Sequence, residues 1–77
     1  MNKARRKSIQ DVADQLEELK STLEDIQGEE EEYRDNIPEN LQGSKRYEKA
    51  DEACDTLSGA VDGLEDVITS LGELAEG

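Results

Sequence analysis

The sequence contains no histidine, phenylalanine or tryptophan, and only one cysteine and one proline. Each absence removes a class of function. Without histidine the chain lacks the commonest general base and metal ligand. A single thiol, Cys54, excludes an internal disulfide and any zinc site built from paired cysteines. No apolar run approaches the roughly 18 residues that span a bilayer. The missing Phe and Trp, with few Leu, Ile and Val, leave the composition at the edge of disorder. Basic residues are also scarce: 9 Lys and Arg stand against 21 Asp and Glu, for a net charge of −12. Such a chain repels phosphates and is not expected to bind nucleic acid directly.

Recognisable chemistry is missing as well. Glycine-rich phosphate loops are absent, and no segment fits the calcium-loop spacing. The run Glu29-Glu30-Glu31-Glu32 concentrates carboxylates, but successive helical residues radiate around the cylinder and do not converge on one ion. Paired carboxylates for glycoside hydrolysis would need a cleft that shifts their pKa values. Cys54 has no base to activate it and falls at an apolar position, so it reads as a structural thiol. The expectation is a non-enzyme without cofactor or metal.

Periodicity decides what is present. In the first half, Ile9, Val12, Leu16, Leu19, Leu23 and Ile26 alternate spacings of three and four. This is a heptad seam with Ile9, Leu16 and Leu23 at a and Val12, Leu19 and Ile26 at d. The register continues through Glu30 and Tyr33. Pro38 then ends the helix, because proline disfavours the helical conformation in the residue before it. In the second half Tyr47, Cys54, Val61, Ile68 and Ala75 mark a, and Ala50, Leu57, Leu64 and Leu71 mark d. Ser44 offers a hydroxyl as N-cap to this second helix. The prediction is one all-α unit over 1–77: helix about 6–35, connector 36–44, helix 45–75.

Folding the chain back about residue 40 matches a with d in successive layers: Ile9–Leu71, Val12–Ile68, Leu16–Leu64, Leu19–Val61, Leu23–Leu57, Ile26–Cys54 and Tyr33–Tyr47. Glu30 opposite Ala50 is the one break, and its long side chain can reach water. Ile37 and Leu41 are expected to plug the end. Charge favours the same antiparallel coiled-coil hairpin. Lys3, Arg5, Arg6 and Lys7 would lie beside Glu73 and Glu76, and Lys45, Arg46 and Lys49 beside Glu29–Glu32 and Asp35.

The second helix carries one more apolar row, Ala53, Ala60, Val67 and Leu74 at g, which a lone hairpin leaves uncovered. Two hairpins packed through it would form a four-helix bundle, so these residues are the candidate dimer interface and a homodimer is expected. Gly59 and Gly63 lie off the seam; they either let another backbone approach the outer face or are weak helix positions, and the second reading is preferred.

The block Asp35-Asn36-Ile37-Pro38-Glu39-Asn40-Leu41-Gln42-Gly43-Ser44-Lys45-Arg46-Tyr47-Glu48-Lys49-Ala50, with Lys3-Ala4-Arg5-Arg6-Lys7 before it, resembles short acidic helical proteins from phages and mobile elements of Gram-positive bacteria. The resemblance implies a setting inside a bacterial cell; it carries over no activity and no functional residue. The basic N-terminal segment is followed by no apolar stretch, so it is not read as a secretory signal, and a cytoplasmic location is expected.

Two functions fit. A rod with roughly one carboxylate per 2 Å approaches the one phosphate per about 1.7 Å of duplex DNA. An acidic binding protein of this kind could occupy a basic nucleic-acid channel, as anti-CRISPR and anti-restriction inhibitors do. Its candidate partner-binding residues are Glu29, Glu31, Glu32, Asp35, Glu39, Asn40, Gln42 and Arg46, around the connector. The alternative is a self-associating coiled-coil structural or adaptor protein whose charge serves solubility alone.

Overall fold

The computed structural model describes all 77 residues as two long helices lying side by side. Helix α1 runs Lys3–Asp35 and α2 runs Lys45–Glu76, with a short 3-10 turn at Glu39–Leu41 between them. Both starts are capped. The Asn2 side-chain oxygen accepts from the Arg5 amide at 2.7 Å, and Ser44 Oγ accepts from the Tyr47 amide at 3.4 Å. Capping by Asn2 lets α1 begin at Lys3, ahead of its first apolar seam position. Its last turn closes through the Asn36 and Ile37 amides, which donate to the Glu32 and Arg34 carbonyls. Pro38 follows in an extended conformation.

The helices are antiparallel. Lys20 pairs with Glu65, Arg34 with Asp51, and the Arg6 side chain lies against Gly77. The result is a rod of 59 × 14 × 12 Å.

The side of α2 that meets α1 is the expected one. Ala50, Cys54 and Val61 are buried, and Leu57, Leu64, Ile68, Leu71 and Ala75 are half-buried. The side of α1 is not. Its inner surface is formed by Ile9, Ala13, Leu16, Lys20, Leu23, Gln27, Glu30 and Arg34. These are the a and e rows. The d row, Val12, Leu19, Ile26 and Tyr33, lies 45% to 61% exposed. The layers Val12–Ile68, Leu19–Val61, Ile26–Cys54 and Tyr33–Tyr47 are therefore corrected: α1 is rolled by about half the angle between its d and e rows.

The physical reason lies in the e rows. Ala13 on α1 is small enough to let the helices approach, and it is buried. Lys20 and Arg34 extend aliphatic stems along the groove and place their charges on carboxylates of α2. Lys20 Nζ lies 2.6 Å from Glu65 and Arg34 donates to Asp51 at 3.0 Å.

The terminal charges also pair differently from expectation. Lys7 bridges to Asp11 on its own helix, and Arg46 bonds a tyrosine instead of a carboxylate. Of the expected plug, Ile37 is buried and Leu41 remains exposed. Core formation is slight. Five of 77 residues are buried, and none of the large side chains is enclosed completely.

Candidate functional site

The exposed d row of α1 and the g row of α2 lie on one flank of the hairpin. Arg46, at g, donates from Nε to the Tyr33 hydroxyl at 2.8 Å and lies 5.4 Å over its ring. Tyr33 is at d, so this contact joins the two rows at the tip. The ion pairs Lys20–Glu65 and Arg34–Asp51 join the two e rows, which occupy the opposite flank. Helical spacing carries both relationships along the rod.

The flank is apolar in its centre and nearly uncharged at its margins. Extended by helical spacing from the Tyr33–Arg46 contact, the row Val12, Leu19, Ile26 and Tyr33 runs beside the row Ala53, Ala60, Val67 and Leu74. Val67 is 47% and Leu74 48% exposed, Ala60 is exposed, and Ala53 is half-buried. Outside these rows lie Ser8, Gln15, Thr22 and Glu29 on α1, and Lys49, Thr56, Gly63 and Ser70 on α2, all exposed. Glu29 is the sole acid among these four rows, in a chain holding 21 acids. Apart from Glu30 on the inner surface and Glu39 in the connector, the other acids lie on the ion-paired flank and the outer rows. The strip is thus apolar and poor in charge on an otherwise acidic rod.

The four residues expected at a dimer interface thus form half of this surface. The half contributed by α1 is its d row, which heptad spacing alone places in the seam. Its signal was present in the e rows, where Lys20 and Arg34 on α1 match Glu65 and Asp51 on α2.

The residues around the connector divide. Glu29 and Glu32 are exposed, as are Glu39, Asn40 and Gln42. Glu31 is half-buried and accepts from Gln27 Nε2 at 3.2 Å. Asp35 accepts from Arg34 Nε at 3.1 Å, and Arg46 is held by Tyr33. Glu29 lies on the apolar flank and Glu31 toward the ion-paired flank, so the tip offers separate carboxylates around its circumference and not one cluster.

Cys54 is buried in the seam. Burial is the main cause that lifts its thiol above the ordinary value; the nearby Arg34 charge opposes this. Arg34 itself is held further into its protonated range, first by its hydrogen bond to Asp35. No three metal-ligating side chains converge, and the rod has no pocket. No helix is long and apolar enough to cross a membrane. No protein-family model matches this chain, and no curated protein or solved structure is significantly similar to it.

Proposed function

We propose that this chain is a non-enzymatic binding protein that acts as a homodimer, two hairpins packing through their apolar flanks into a four-helix bundle. The observation that carries the proposal is the exposed row Val12, Leu19, Ile26 and Tyr33 running beside Val67 and Leu74. Each helix of a bundle needs about three positions in seven directed inward. In the single hairpin α1 uses a and e and leaves d free, while α2 uses a and d and leaves g free. A second molecule supplies what these rows lack. It also enlarges a core in which only five residues are buried.

The outer surface favours a second element of this reading, an acidic face for a basic partner. One hairpin spreads 21 carboxylates along 59 Å, about one per 3 Å, which is sparser than the phosphates of duplex DNA. Two hairpins side by side would double that density and pass the spacing of about 1.7 Å per phosphate charge. Mimicry of nucleic-acid charge toward a basic host nuclease or defence protein, in the bacterial cytoplasm, thus depends on the dimer. A structural or adaptor role would need the dimer alone.

Light scattering tests the association. The wild-type chain is expected at twice the mass of one chain, and Leu19→Glu, Val67→Glu and Leu74→Glu at the mass of one. A wild-type monomer at every concentration up to millimolar refutes the dimer. Capture from bacterial lysate at two ionic strengths, with DNA as competitor, tests the second element. A basic protein released by salt and displaced by DNA supports mimicry; no such protein leaves the self-associating module.

A further inference from the structure

We infer that the two hairpins of the proposed dimer lie head to tail, related by a two-fold axis that crosses the rod at Thr22 and Gly63. This rests on the self-association reading above and adds the arrangement and its cause.

The occupant of the flank must tolerate a molecule of charge −12, and a second copy does so only in a particular orientation. Charge is uneven along the rod. The tip, residues 29–52, holds nine acids and four bases. The opposite end, residues 1–14 with 66–77, holds five acids and the four bases Lys3, Arg5, Arg6 and Lys7. Tip beside tip would bring two strongly negative ends together. Tip beside opposite end lays the basic arm of each copy along the acidic tip of the other, which lowers repulsion and fixes direction.

The apolar rows share one midpoint. In α1 the row is centred at Thr22, between Leu19 and Ile26; in α2 it is centred at Gly63, between Ala60 and Val67. Lys20 and Glu65 are level, since they are joined across the helices. Thr22 lies two residues after the first and Gly63 two before the second, so these midpoints are also level. A two-fold axis through both sets α1 against α1 and α2 against α2. Val12 then faces Tyr33 of the second copy and Leu19 faces Ile26. On the other helix Ala60 faces Val67 and Ala53 faces Leu74, small against large at both levels. Gly63 falls at the axis, where a Cβ would meet nothing within 4 Å in the single hairpin. Two α2 backbones can approach closely there.

The size is adequate. Residues 8 to 33 span ~38 Å, and two helices side by side are ~20 Å wide, so the flank covers roughly 750 Å² against the ~800 Å² per partner of a stable interface.

Paired distances between spin labels test the arrangement, with label at Ser8→Cys or Thr22→Cys in a Cys54→Ala background. Head-to-tail packing predicts Ser8 labels ~40 Å apart, from the 14 residues between Ser8 and the axis, and Thr22 labels within ~20 Å. Gly63→Leu is expected to weaken dimerisation at least tenfold, whereas Gly59→Leu, on the outer surface, leaves it unchanged. A dimer with Ser8 labels within ~20 Å of each other overturns the head-to-tail arrangement but leaves self-association standing. A monomeric wild type overturns both.

Discussion

Lys20 turns its side chain into the groove between the helices, 13% exposed, while its neighbour Leu19 stands 61% exposed in solvent. This inversion of the usual preference defines how α1 sits on α2. The ammonium at the groove margin pairs with Glu65, itself largely solvated, so the pair orients the helices more than it binds them. Lys20→Met keeps an aliphatic stem in the groove and removes the charge. Its helicity and melting temperature are expected close to wild type, with a weaker dependence on salt. A collapse of helicity by circular dichroism would show the ion pair to be essential to the hairpin.

Ile37 and Leu41 separate a buried anchor from an exposed one. Ile37 is 2% exposed and Leu41 is 42% exposed. Ile37→Ala is expected to cost about 2–4 kcal/mol, as buried aliphatic truncations do. Leu41→Ala should change stability by less than about 0.5 kcal/mol. Urea unfolding of the two variants checks the difference; equal losses would contradict the burial.

Gly28 and Gly59 sit inside helices on the outer surface, and a Cβ at either position meets nothing within 4 Å. Replacing each by alanine should raise stability by roughly 0.5–1 kcal/mol through backbone entropy. The two sites are far apart, so the gains should add in the double variant. Thermal unfolding measures this, and a loss at either site would reveal a contact made by that surface.

Alkaline pH should weaken the hairpin in two stages. The Cys54 thiol is lifted above its ordinary 9.0, chiefly by burial, so the unfolded chain loses that proton first and stability begins to fall near pH 9. The Lys20 ammonium is held above its ordinary 10.5, mainly by its hydrogen bond to Glu65. Its contribution is complete below that value and disappears as pH rises beyond it. Cys54→Ala should remove the first stage and Lys20→Met the second. Native Cys54 should also react with aromatic disulfides far more slowly than in urea, and immediate reaction in the folded state would show the seam to be open.

The amino-acid sequence by itself determined the two helices, the Ser44 cap of the second and their antiparallel pairing. The Asn2 cap that starts α1 at Lys3, ahead of the expected residue 6, emerges only in the structure. Heptad spacing over two long runs leaves no other regular structure, and Pro38 allows one break only. It also marked Ala53, Ala60, Val67 and Leu74 as a row without a partner inside the hairpin. Which row of α1 turns inward was decided by the tertiary structure. Spacing alone makes a/d the apolar choice. The e row wins once Ala13 permits close approach and Lys20 and Arg34 reach carboxylates on the facing helix. Hydrophobic periodicity is a property of one helix, whereas the pairing of an e-row cation with an e-row acid exists only between two. That pairing turns Val12, Leu19, Ile26 and Tyr33 outward, and so creates the apolar flank.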